Sequence, residues 1–178
     1  MSDHSFNSSA APVRSRLVVQ GEFEVSNDPG IVLTTLLGSC VATCLCDPAA
    51  GVGGMNHFLL ASHDGGAGAN ERYGSYAMEV LINGLLKLGA RKSRLEAKIF
   101  GGATMAGRMG RIGEANCAFA RDYLDTEKIP LVSSSLGGDR ARRLRYVPVT
   151  GQAQMLFVAE AVPAARAAAA PVGDVDLF

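Results

Sequence analysis

The chain has 178 residues, 48% of them apolar, with 17 basic side chains against 17 acidic ones, so one soluble globular domain with a sizeable core is expected. A formal charge of zero argues against binding nucleic acid by bulk electrostatics. The apolar runs are too short and too broken to cross a bilayer, MSDHSFNSSA lacks the basic and apolar sections of a secretory signal, and four cysteines are too few for a disulfide scaffold. A cytoplasmic protein with reduced thiols is expected.

In chain order, residues 1–12 read as a loose arm. Arg16 to Gly21 and Gly30 to Leu37 carry strand-like β-branched content, and after the bend at Gly38 and Ser39 the apolar stretch Cys40 to Cys46 reads as another strand. Gly51 to Leu60 joins a glycine-rich turn to a short strand bearing His57, and ASHDGGAGANERYG reads as a surface crossing. Ala77, Leu81, Leu85 and Leu88 recur at helical spacing over Ser75 to Leu88, closed by Gly89; Leu95 to Phe100 is a strand, and Gly113 to Glu127 a second helix with Asn116, Phe119, Ala120 and Tyr123 on one face. Ile129 to Ser134, Leu144 to Val149 and Ala153 to Ala159 give three more strands, the last two joined tightly at Thr150 and Gly151, before an Ala/Pro-rich flexible tail over 161–178. Strands before, between and after two helices predict an α+β sandwich rather than a doubly wound parallel sheet. GGATMAGRMGRIG matches neither the dinucleotide-binding fingerprint nor a phosphate-binding loop.

The candidate chemistry centres on Cys40, behind a Gly-Ser turn, with His57 seventeen residues later. Sulfur attacks as thiolate, and an imidazole within hydrogen-bonding distance can take the thiol proton; the ordinary alternatives are a small buried cysteine and a structural histidine. Thr34 is a candidate to orient the imidazole through its hydroxyl or carbonyl, with Thr35 its competitor, the two told apart by which strand face points to His57. Thiolate attack on a carboxamide would need oriented amides for the oxyanion, which the backbone around Gly38 to Cys40 could provide, with Ser39 a local donor or a turn residue. Gly53 and Gly54 either let the histidine-bearing strand approach closely or form a turn. His4 is set aside in the arm, and His63 is a weaker base in a polar loop. A competing use of Cys40, Cys44, Cys46 and His57 is zinc, although successive positions along a strand are a poor match to structural zinc spacing. Arg140, Arg142, Arg143 and Arg145 read as a solvated strand edge or as a surface for an acidic protein, which Arg108 and Arg111 could extend.

LGSCV, GGMNHFLL, YAMEVLINGLLKLGA, KIFGGATM, IGEANCAF and SLGGDRARRLRY, in that order across residues 14–158, resemble the chemoreceptor glutamine deamidase family (CheD-type) of bacterial chemotaxis. The resemblance implies a deamidase domain over 13–160 that hydrolyses selected glutamine side chains of methyl-accepting receptors to glutamate, releasing ammonia through a glutamyl thioester, with accessory glutamyl methylesterase activity in some members. It places the nucleophile on Cys40, the base on His57 and the orienting residue on Thr34. It also implies no cofactor, a single-domain three-layer sandwich of α/β/α type with an extended β core and two principal helices, and binding of a response-regulator phosphatase, with GGATM in the partner-contacting region. A non-catalytic adapter for that phosphatase is the alternative function. Ser135 stands where the family pattern commonly has Asp, and Ala141 where it commonly has Gly.

Overall fold

In the computed structural model, residues 12–60, 67–104, 110–158 and 176–178 are described. His4, His63, Met105, Arg108 and most of the expected arm and tail lie outside them. The strands are β1 (Arg14–Leu17), β2 (Phe23–Ser26), β3 (Ile31–Leu37), β4 (Val41–Asp47), β5 (Val52–Asn56), β6 (Glu96–Gly101), β7 (Leu131–Leu136), β8 (Arg142–Val147), β9 (Gln152–Phe157) and β10 (Asp176–Leu177). The helices are α1 (Ala67–Lys87) and α2 (Gly110–Thr126).

Alternation along β3 and β4 stacks these strands into layers. On β3, Leu33, Thr35 and Leu37 are buried and Leu36 is exposed; on β4, Ala42 and Cys44 face one side and Val41 and Leu45 the other. One sheet has the order β1-β3-β8-β9-β10 and the second β2-β5-β4-β6-β7. Between them Leu33, Leu37, Cys44, Met55, Phe100, Leu144, Tyr146 and Met155 form one core. Across the second sheet, Val41, Leu45, Val52 and Ile99 lie under Met78, Leu81 and Leu85 of α1 and Leu124 of α2. Burying each such Leu or Met side chain contributes about 1.5–3 kcal/mol.

The molecule is therefore an α+β sandwich of three layers, in the order sheet, sheet, helices. The α/β/α arrangement is not formed, because both amphipathic helices cover the same face of the second sheet and the outer face of the first carries Thr34, Leu36, Arg143 and Arg145. Helix α1 begins before the expected Ser75 and ends as the sequence implies: Gly89 has φ 99°, its N–H bonds Leu86 O and the next N–H bonds Leu85 O, a glycine-closed C-terminus. At the end of β4, the fully buried Asp47 carboxylate receives Arg94 Nη2 at 2.7 Å and the Arg91 N–H at 2.8 Å, and the Arg94 guanidinium beside it holds its pKa down to about 2.

Three expectations change. The arginine run is not one surface: Arg143 and Arg145 point outward from β8, but Arg142 is buried and donates to the carbonyls of Gly101, Ser135 and Gly137. Nor is β8 a strand edge, since it lies between β3 and β9. Finally, the end of the presumed loose tail is paired, β10 against β9, with the Phe178 ring edge-on to Phe100 at 5.5 Å.

Candidate functional site

The short bend between β3 and β4 carries Cys40, and its main chain is fastened on one side. Gly38 O accepts from Ala103 N–H at 2.8 Å, Ser39 O from Asn116 Nδ2 at 2.8 Å, and Cys40 O from Gly102 N–H at 2.7 Å. In a trans peptide the carbonyl and the following N–H point opposite ways, so the N–H groups of Ser39 and Cys40 are turned away from these anchors. The shelf that holds the bend has to be glycine. A Cβ on Gly101 would stand 2.1 Å from Cys40 O, and one on Gly102 would stand 2.0 Å from Cys117 Sγ; both have positive φ.

His57 follows β5 and reaches the same place through a bridge between Val41 and Phe58, whose N–H groups donate to each other's carbonyls at 3.0 and 2.9 Å. The bridged pair faces the helices. Cys40 and His57 each precede a bridged residue, so both leave on the opposite face, toward the space between the sheets. They are diagonal neighbours of an antiparallel pair, about 7–8 Å apart at the backbone.

The imidazole is held from the other sheet. Its Nδ1 lies 2.9 Å from Thr35 Oγ1 and 3.3 Å from Val18 O, while Nε2 is buried with no hydrogen-bond partner among the described residues. Thr35 Oγ1 also donates to Val18 O at 2.7 Å. The hydroxyl that reaches His57 is thus that of Thr35 and not of Thr34, because strand alternation turns Thr34 to the outer face, where its Oγ1 meets Arg16 O at 3.4 Å. The Thr34 carbonyl accepts from Val18 N–H at 2.9 Å, one step removed from the ring. Burial pushes the His57 pKa below its usual 6.5, partly offset by the bond to Val18 O.

Cys40 is half-buried and its thiol donates to Gln20 Oε1 at 3.4 Å. Burial pushes its pKa above 9.0, and its own backbone N–H acts in the opposite direction. Both effects favour the uncharged forms, thiol and neutral imidazole. A cleft of about 120 Å³ opens beside His57, lined on one side by Phe23 and on the other by Tyr73 and Tyr76 of α1.

Asn116 is a positioning residue that its place on the apolar face of a helix concealed. It is fully buried, and while its Nδ2 holds Ser39 O its Oδ1 accepts Leu60 N–H at 2.8 Å. One side chain thereby ties the segment before Cys40 to the segment after His57. Gly53 and Gly54 resolve to close approach: a Cβ on Gly53 would lie 2.1 Å from Pro148 O, and one on Gly54 2.6 Å from Glu24 O. Ser39 is buried in the bend. Cys44 and Cys46 point between the sheets, all four cysteines are free, and among the described residues no three His, Cys, Asp or Glu side chains gather in a group able to hold a metal ion.

Residues 59–156 match the family model described as CheD chemotactic sensory transduction. The chain is 56% identical over 150 residues to a Cereibacter sphaeroides protein named "Probable chemoreceptor glutamine deamidase CheD", covering 84% of this chain and 75% of that one. A Rhizobium meliloti protein of the same name is 58% identical over 154 residues, covering 84% and 83%. The chain belongs to the CheD family. Among solved structures, a Neisseria meningitidis protein of the family model DUF152 shares the fold, with a TM-score of 0.51 at 11% identity over 76% of each chain. The two departures of this CheD-family chain act through main-chain atoms that any residue supplies: Ser135 O accepts from Arg142 Nη1, and Ala141 O accepts from Val158 N–H.

Asn116→Ala strands a buried carbonyl and a buried N–H. Such groups cost about 1–3 kcal/mol each when unpaired, so calorimetry should show a fall in melting temperature of several degrees, and the bend carrying Cys40 loosens with it.

Proposed function

We propose that this chain is a cysteine amidohydrolase that converts specific glutamine side chains of methyl-accepting chemoreceptors to glutamate. The observation that carries the reading is the imidazole: Nδ1 is fixed by Thr35 and Val18, and Nε2, on the strand face shared with Cys40, has no partner among the described residues. The names of its CheD relatives supply the substrate class.

The steps follow from the placement. The Cys40 proton passes to His57 Nε2, and sulfur attacks the glutamine Cδ. The N–H groups of Ser39 and Cys40, turned outward by the anchored carbonyls, receive the oxyanion. The imidazolium gives its proton to the departing ammonia, leaving a glutamyl thioester. His57 then takes a proton from water, which attacks the thioester and frees the thiolate and the product carboxylic acid; the imidazolium returns its proton to sulfur and the acid ionises to glutamate in solvent. Thr35 keeps Nδ1 occupied, so that Nε2 is the basic nitrogen. The cleft lined by His57, Phe23 and the two tyrosines of α1 offers a surface near the histidine-bearing segment for the receptor around the glutamine. Among the described residues no helix is long and apolar enough to cross a membrane. The family resemblance adds a response-regulator phosphatase as a further partner and ester hydrolysis as an accessory activity.

The test is the mass of purified receptor cytoplasmic domains from the same organism after incubation with the reduced protein. A gain of about 1 Da at defined glutamines, the difference between amide and acid in this hydrolysis, is the expected result. An unchanged receptor set with folded enzyme and intact receptor helices would overturn the reading.

The two threonines give a sharper check. Thr35→Val should lower kcat by roughly 10–100-fold, the worth of about 1.4–2.7 kcal/mol, because the imidazole loses its side-chain anchor. Thr34→Val should leave kcat close to wild type, since the valine keeps the carbonyl that holds Val18. Steady-state rates of ammonia release from the receptor would show the contrast.

A further inference from the structure

Among the described residues Gln20 is the polar side chain that meets the Cys40 thiol, and it is held there by a segment with another task. Val18 N–H bonds Thr34 O, Glu22 N–H bonds Val19 O at 3.0 Å, Gly21 N–H bonds His57 O at 2.7 Å, and His57 N–H bonds Glu22 O at 3.0 Å. The loop that offers the Val18 carbonyl to Nδ1 therefore also brings Gln20 Oε1 to 3.4 Å from Cys40 Sγ. The Gln20 side chain is otherwise exposed, so its position is not required by packing.

In the resting site this oxygen accepts the thiol proton. Once that proton moves to His57, Oε1 loses its donor and faces whatever group stands on the sulfur. A substrate carboxamide with its carbon at Sγ carries N–H groups on the nitrogen that will leave, and one of them can replace the lost donor. An ester at the same place presents an alkoxy oxygen, which offers Oε1 no hydrogen. An amide substrate keeps this hydrogen bond and an ester lacks it, so the amide gains the net worth of one hydrogen bond at an exposed acceptor.

Resting on the deamidase reading above, we infer that Gln20 is the residue that makes this site prefer a carboxamide over a carboxylic ester, by accepting a hydrogen bond from the leaving nitrogen.

The experiment compares kcat/KM on one receptor cytoplasmic domain carrying either glutamine or its glutamyl methyl ester at the modified position. Wild type, Gln20→Met and Gln20→Glu are used; the exposed position lets both variants fold, which circular dichroism would verify. Gln20→Met, of similar length but without a strong acceptor, should lower the amide-to-ester ratio roughly two- to tenfold, mainly through the amide rate. Gln20→Glu keeps an oxygen acceptor and should keep the ratio, with both activities displaced to higher pH by the carboxylate beside the thiol. An unchanged ratio in Gln20→Met, whether both rates fall together or neither moves, overturns the inference while leaving the deamidase reading standing. A wild-type protein inert toward both receptor forms overturns the deamidase reading and the inference with it.

Discussion

Cys40→Ala should abolish receptor deamidation while leaving the protein folded: the gain of about 1 Da per modified glutamine disappears, with a loss in kcat of at least roughly 10⁴-fold. No other thiol can substitute. Cys44 and Cys46 are buried on the inter-sheet side of β4, where desolvation pushes both thiols up and away from reactivity, and Cys117 lies on α2 against Gly102. The fold survives because Cys40 is half-buried and its thiol makes one long bond, to Gln20, while the bend itself is held by main-chain carbonyls that alanine retains. The stability change should stay within about 1 kcal/mol, the net value of one ordinary hydrogen bond, as denaturant titration would show. Residual activity near wild type would mean that water attacks the amide directly, and the thioester step would fall.

The pattern of the chain made much of this legible. Alternating segments became strands, the 3.6-residue stripes became α1 and α2, and the bend before Cys40 was marked by Gly38 and Ser39. Register across the two sheets was harder. Leu33 and Leu37 share parity with Thr35 and announce its buried face, but Leu36 is equally apolar and 54% exposed, so the segment alone does not say which threonine turns inward. Family correspondence pointed to Thr34; the pairing of β3 with β8 put Thr35 against the ring. Asn116 did leave a signal: an amide in the middle of an apolar helix face is a buried polar group that must be paired. Nothing local foretold Val18 or Gln20, because their contacts span 39 and 20 positions and exist only once the loop before β2 folds across His57. The strands β2 and β10 were missed because they are short and bordered by residues that read as turn or tail. The layer order was hidden for a different reason: an amphipathic helix specifies that it must be covered, not which sheet covers it.

His57→Gln should lower kcat by roughly 10²–10⁴-fold, the usual range for a positioned proton carrier, and should also erase one limb of the pH profile. In the proposed mechanism the wild-type site starts from neutral imidazole and protonated thiol. Burial lowers the His57 pKa from 6.5 by disfavouring the imidazolium, so kcat/KM should rise through an apparent pKa below that value as the ring loses its proton. Burial raises the Cys40 pKa above 9.0 by disfavouring the thiolate, so the descending limb should appear only above it. Between the two lies a broad plateau across neutral pH. Because thiol and imidazole act as a pair, the limbs report apparent values of the pair, but removing the imidazole must remove the acid limb. A glutamine at this position can still bond Thr35 and fill the space between the sheets, so the variant separates proton transfer from packing. The ultraviolet absorbance of thiolate, read as wild type minus Cys40→Ala, should be small at neutral pH and grow above the raised thiol pKa. An acid limb that persists in His57→Gln would take the base role away from this residue. Full thiolate absorbance at neutral pH would place the proton on His57 before substrate arrives, and Gln20 would then have no thiol proton to accept in the resting site.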